Sequence, residues 1–184
     1  MSPHRVVATA LLLLACCAPP EFTQPLTPAR DAKPVPALLG SWVEAKPSST
    51  KKPVMTLEIA QVSGAVMSFL LPGRGGEEAM RFEGHVSVLG QTRILNLQGV
   101  AGELAGPSYL FVRYELAADG TLQLWVMRDP AFRQAVKSGA LAGRTSGGSP
   151  SSVIVTDSPE NVRRFVAQQK PDELWEPLAT FTKR

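Results

Sequence analysis

Beyond residue 54 the chain alternates apolar and polar positions with a period of two, the spacing of strands with one buried face. Met55, Leu57 and Ile59 share one side of a first run, and Met67, Phe69 and Leu71 one side of 65–71. From 80 to 88, Met80, Phe82, Val86 and Val88 face one way; Arg81, Glu83, His85 and Ser87 face the other, which assigns His85 to the solvated surface. Runs at 93–100, 109–116 and 122–127 continue the series. Ser63-Gly64, the stretch 72–76, Leu89-Gly90-Gln91 and Asp119-Gly120 punctuate it. Closely spaced strands with turn signals between them predict a mainly β fold, an antiparallel meander closing into a barrel, half-barrel or sandwich.

One hairpin can be taken to its register. Leu110, Val112, Tyr114 and Leu116 form one apolar face; Leu122, Leu124 and Val126 form another. A two-residue Asp-Gly loop would set Leu116 opposite Gln123 and mix the faces. A three-residue loop, Ala118-Asp119-Gly120, sets Leu116 opposite Leu122, Tyr114 opposite Leu124 and Val112 opposite Val126, with glycine at the left-handed position. A one-residue slip exchanges inside for outside, so face matching selects the longer loop. Arg113 then lies opposite Trp125, within reach of a cation–π contact.

Two helices interrupt the strands. Asp129-Pro130 reads as an N-cap followed by proline, with Phe132, Ala135 and Val136 as the apolar stripe and Gly139 as the C-terminal cap. Ser158-Pro159 repeats the signal, with Val162, Phe165 and Val166 inward, Arg163 and Arg164 outward, and Pro171 ending the helix. Residues 152–155 and 178–182 read as strands, the latter closing the chain.

The first 37 residues follow a different pattern. Val6 to Leu14 is almost unbroken apolar sequence behind a start that carries Arg5. It is shorter than the roughly 20 residues a spanning helix needs, and it has the form of a secretory signal. Leu13-Leu14-Ala15-Cys16 resembles the lipobox of bacterial lipoproteins. That resemblance implies cleavage before Cys16, a diacylglyceryl thioether on Cys16, and membrane anchoring, since two or more acyl chains hold a protein stably. Cys17, without an aspartate at that place, implies the outer membrane if the source is a diderm bacterium. Residues 18–37 carry prolines at 19, 20, 25, 28, 34 and 36 and read as an extended, semi-rigid tether. The expected organisation is a signal peptide over 1–15, a lipidated cysteine and tether over 16–37, and a β domain over 38–184.

Leu38-Leu39-Gly40-Ser41-Trp42 carries a Gly-x-Trp pattern that resembles the first strand of the lipocalin-like superfamily. The resemblance implies a barrel with Trp42 closing one end. The helix at 158–170 departs from the family pattern by preceding the last strand.

Composition narrows the chemistry. Both cysteines, Cys16 and Cys17, sit at the processing junction, so the domain has no disulfide and a single core must stabilise it. The net charge of +3 falls by one when residues 1–15 are removed, too weak a balance to point to nucleic acid. One histidine remains, so a zinc site is not expected, nor is any other cofactor. Gly143-Arg-Thr-Ser146-Gly147 is out of phase with a nucleophile elbow and continues into a flexible loop. Pro72-Gly-Arg-Gly-Gly76 lacks the lysine and hydroxyl ending of a phosphate loop. Asp119, Asp129, Asp157 and Glu160 are explained by turns and caps. Trp42, Met67, Phe69, Phe82, Tyr114 and Leu124 are the interior residues that either pack a core or line a cavity. The expected function is a non-enzymatic, membrane-anchored binding module for a small apolar ligand. The alternatives are an interaction protein for another envelope component, using a patch near Phe111, Trp125 and Met127, and an envelope hydrolase built on paired carboxylates.

Overall fold

The computed structural model describes residues 18–45, 54–73, 78–101, 106–145 and 152–184. The signal segment, Cys16, Cys17 and most of the 72–76 turn lie outside the described residues, as do 146–151 of the glycine-serine loop.

Eight strands form a closed antiparallel barrel. They are β2 (Gly40–Glu44), β3 (Thr56–Ser63), β4 (Val66–Leu71), β5 (Met80–Leu89), β6 (Thr92–Ala101), β7 (Tyr109–Leu116), β8 (Thr121–Met127) and β11 (Trp175–Lys183). The meander runs in chain order from β2 to β8, and β11 closes it by pairing with both β8 and β2. Between β8 and β11 the chain leaves the wall to form α1 (Asp129–Ser138), β9 (Gly143–Thr145), β10 (Val153–Val155), α2 (Pro159–Gln168) and a single-turn α3 (Pro171–Leu174). The barrel is the expected architecture, with helices before the final strand.

The β7–β8 hairpin has the register that face matching selects: Leu116 pairs with Leu122, Tyr114 with Leu124 and Val112 with Val126. Gly120 sits at φ 82°, and the Arg113 guanidinium lies 4.6 Å from the centre of the Trp125 ring. The helix limits follow the capping residues. Gly139 closes α1 at φ 76°, and the Ser158 hydroxyl accepts the Asn161 amide at the start of α2. Asp129, expected as the cap, is instead the first residue of α1 with Arg128 at the cap, and its buried carboxylate pairs with Arg133 at 2.7 Å. Pro171 does not end α2 but opens α3. Gly143–Thr145, expected in a loop, pairs with β10 as a strand.

From residue 19 on, the stretch expected to be a tether is instead packed on the folded unit. Strand β1 (Glu21–Phe22) pairs with β7 at Tyr109 and with β10. Phe22 and Leu26 are each 1% exposed. Two 3-10 turns, Ala29–Asp31 and Pro36–Leu38, interrupt the expected extended run, and its two large apolar side chains have a wall to pack on. Phe22 stacks on Phe111 with ring centroids 4.0 Å apart and meets Phe132 edge-on at 5.2 Å. A second core therefore lies outside the barrel, where Phe22 and Leu26 join Ile94, Phe111, Met127, Phe132, Val153 and Val162 between the wall and the helices.

This second core also corrects His85. Its position on the polar face of β5 predicts a solvated ring, yet the N-terminal segment covers that face and leaves His85 4% exposed. The His85 Nε2 lies 2.7 Å from the Thr27 carbonyl oxygen. Beside it, fully buried Asn96 accepts the Leu26 amide on Oδ1 at 2.8 Å, and its Nδ2 donates to the Ser87 hydroxyl and the His85 carbonyl. Arg163, expected in solvent, donates to the Leu26 carbonyl. Val88, expected inside, is 62% exposed because β5 runs past the packed interior at its far end.

Candidate functional site

The barrel has two unlike ends. At one, the turns β3–β4, β5–β6 and β7–β8 meet the chain's last residues and the short 3-10 turn Pro36–Leu38. Here Leu38, 0% exposed, enters the interior beneath Trp42, whose indole donates to the Leu38 carbonyl at 2.8 Å. The Lys183 amino group lies 5.4 Å from the Trp42 ring centre and completes the seal. Gly40, at φ 126°, makes room for it, since a side chain there would meet the Lys183 stem at 3.0 Å. Trp42, Met67, Val86 and Tyr114 are buried and make this end a packed floor. As the lipocalin-like resemblance implied, Trp42 closes one end.

Above the floor the interior is not filled. A cavity of about 210 Å³ extends from Leu38, Leu122 and Phe181 toward the other end, the mouth, where Met55, Leu71, Met80, Leu97 and Leu110 are half-buried. Among the described residues, the nineteen that line it are all apolar. Gly84 shapes the wall: a Cβ there would stand 2.3 Å from the Asn96 carbonyl oxygen and 2.9 Å from the Leu97 side chain, so β5 and β6 approach closely only because the residue is glycine.

Of the six interior residues expected from the sequence, Phe69, Phe82 and Leu124 line the cavity. Trp42, Met67 and Tyr114 belong to the floor. Sequence reasoning thus found the interior but not its division. The alternating faces of β6 and β7 carried the signal for Leu97 and Leu110. Nothing in the sequence pointed to Pro19, which joins the lining from the segment read as a tether.

The volume and lining bound what the site can hold. An apolar cavity of about 150 Å³ stays dry and takes benzene, whereas drug-sized ligands need about 300 Å³ or more. A single slender hydrocarbon group fits; a bulky or polar molecule would strand its hydrogen-bonding groups against aliphatic wall.

Acid–base chemistry finds no comparable site. Among the described residues the one buried carboxylate is Asp129, paired with Arg133. Asp119 accepts the Thr121 amide in its turn, and Glu160 pairs with Arg164. Asp157 accepts the Ala142 and Ser158 amides and the Asn161 side chain, and these bonds, the Ala142 amide first, hold its carboxyl below the usual range. Burial pushes the Tyr114 hydroxyl up, with Arg93 pulling the other way. Among the described residues no three His, Cys, Asp or Glu side chains stand close enough to share a metal ion, and no helix is long and apolar enough to cross a membrane.

No protein-family model, no curated protein and no solved structure matches the chain.

Proposed function

We propose that the protein is an exported lipoprotein, held to a membrane through a lipid on Cys16, whose barrel binds a small apolar ligand and catalyses no reaction. In a diderm bacterium the anchor would lie in the outer membrane. The observation that carries the ligand reading is the all-apolar cavity of about 210 Å³ above a sealed floor. Emptying such a space has a cost. Voids lose packing in proportion to their volume, about 24 cal/mol per Å³ in engineered cores, and an occupant would recover that loss. The lipobox-like Leu13-Leu14-Ala15-Cys16 supports the address. Less supports the rival interaction surface: Phe111 and Met127 are each 2% exposed beneath the N-terminal segment and helices, and Trp125 is half-buried under Arg113.

Native mass spectrometry of the gently purified chain, followed by solvent extraction, tests the ligand reading. The expected result is one apolar molecule per chain, displaced by an added fatty acid. A bare protein mass together with no uptake of fatty acid would overturn it. Replacing Cys16 with alanine should abolish incorporation of radioactive palmitate; persistent labelling would remove Cys16 as the anchor.

A further inference from the structure

We propose that the mouth of the barrel faces the lipid surface to which Cys16 is fixed, and that the cavity receives one acyl chain of a bilayer lipid directly from that surface. This rests on the lipoprotein reading above and adds the source of the ligand and its route. It stands on the path of residues 18–38. Pro19 is part of the cavity wall, and Phe22 pairs with Tyr109, the first residue of β7, at the mouth end. From there the segment runs over the outer wall, bonded to Asn96 and His85, and passes to the floor, where Leu38 enters the barrel.

That path fixes the mounting. A chain advances at most about 3.6 Å per residue, so the three residues that separate Pro19 from Cys16 in sequence span at most roughly 11 Å. The ten residues of β5 rise about 3.3 Å each, and a barrel tilt of about 40° leaves some 25 Å between the two ends. The floor is therefore out of reach of a bilayer held by Cys16. The long leash that residues 16–37 would otherwise supply does not exist, because Phe22 and Leu26 are buried.

The lining selects the occupant. Its described residues offer no polar side chain to a head group, so an amphiphile in it leaves its polar end at or beyond the mouth. A bilayer lipid does so without moving its head group out of the interface. The volume admits one chain, not the two of a whole diacyl lipid. An acyl chain rising from the membrane also avoids the water crossing that makes free transfer of hydrocarbon unfavourable.

Photolabelling of the full, membrane-isolated chain tests this. The protein is placed in phosphatidylethanolamine–phosphatidylglycerol vesicles in which some phospholipid carries a diazirine near one chain end. After irradiation, label is expected on cavity residues such as Leu71, Leu97 and Leu110. It should be lost in Leu97→Trp and, independently, in Leu110→Phe, each checked for a wild-type melting curve. Label confined to the floor turns at Gly64, Gly90 and Gly120, or absent from the lining, overturns the proposal. So does a lining that labels only in Cys16→Ala, which would make the protein's own anchor chain the occupant. The mass of the Cys16 peptide is read in parallel. An unmodified cysteine overturns the lipoprotein reading and the mounting together, whereas a lipidated cysteine beside an unlabelled lining overturns this proposal alone.

Discussion

Asn96 joins the N-terminal segment to the barrel from a fully buried position. Its amide bonds three partners from two chain segments while fully buried, and truncation would leave the Leu26 amide unpaired. Asn96→Ala is expected to cost about 2–3 kcal/mol in denaturant unfolding, the penalty of a stranded donor plus the lost bonds. A change within 0.5 kcal/mol would show that water replaces the side chain. Tyr114 presents the opposite case. Its buried hydroxyl makes no well-formed hydrogen bond and has only the Arg93 side chain acting on it, so Tyr114→Phe should leave stability unchanged or raise it by up to about 1 kcal/mol. A loss of stability would mean that the hydroxyl does hold a partner. The contrast between His85 and Tyr114 shows where single residues mislead: the polar side chain on an outer face is buried and bonded to the chain that covers it, and the one on an inner face is buried with only Arg93 acting on its hydroxyl.

At the scale of elements, local rules were sufficient where neighbours in sequence are neighbours in space. The β7–β8 register followed from matching two faces across one turn, and both long helices followed from their caps and stripes. The connection between β10 and α2 depends on Asp157, which ties the Ala142 amide to the start of the helix. Its lowered pKa means that this contribution is present above the unfolded carboxylate value of about 3.9 and is lost as pH falls through the folded value. Melting temperature should therefore fall on acidification below about pH 4, and Asp157→Asn should flatten that limb while lowering the plateau. An unchanged acid limb would assign the pH dependence to other carboxylates. The N-terminal segment is the element that local rules misread, since its prolines state an extended backbone but not what that backbone lies against.

For the whole molecule, the barrel and its outer layer share one wall with a core on either side of it. Removing residues 18–35 should therefore expose Ile94 and Phe111, lower the melting temperature and produce binding of dyes that report apolar surface. A truncated chain that melts like the full one would show the outer layer to be dispensable. The sequence by itself determined the strands of the meander, their alternation, the hairpin register, the apolar stripes of the two long helices and the apolar character of the interior, because each depends on residues close in the chain. Only the tertiary structure decided that β11 closes the barrel, that Phe22 and Leu26 bury His85 and Asn96, and that the interior divides into a packed floor and a cavity reached by Pro19. Periodicity states which side a residue faces. Whether that side meets solvent, a second layer or empty space depends on segments far away in sequence, and on volumes that no local pattern encodes.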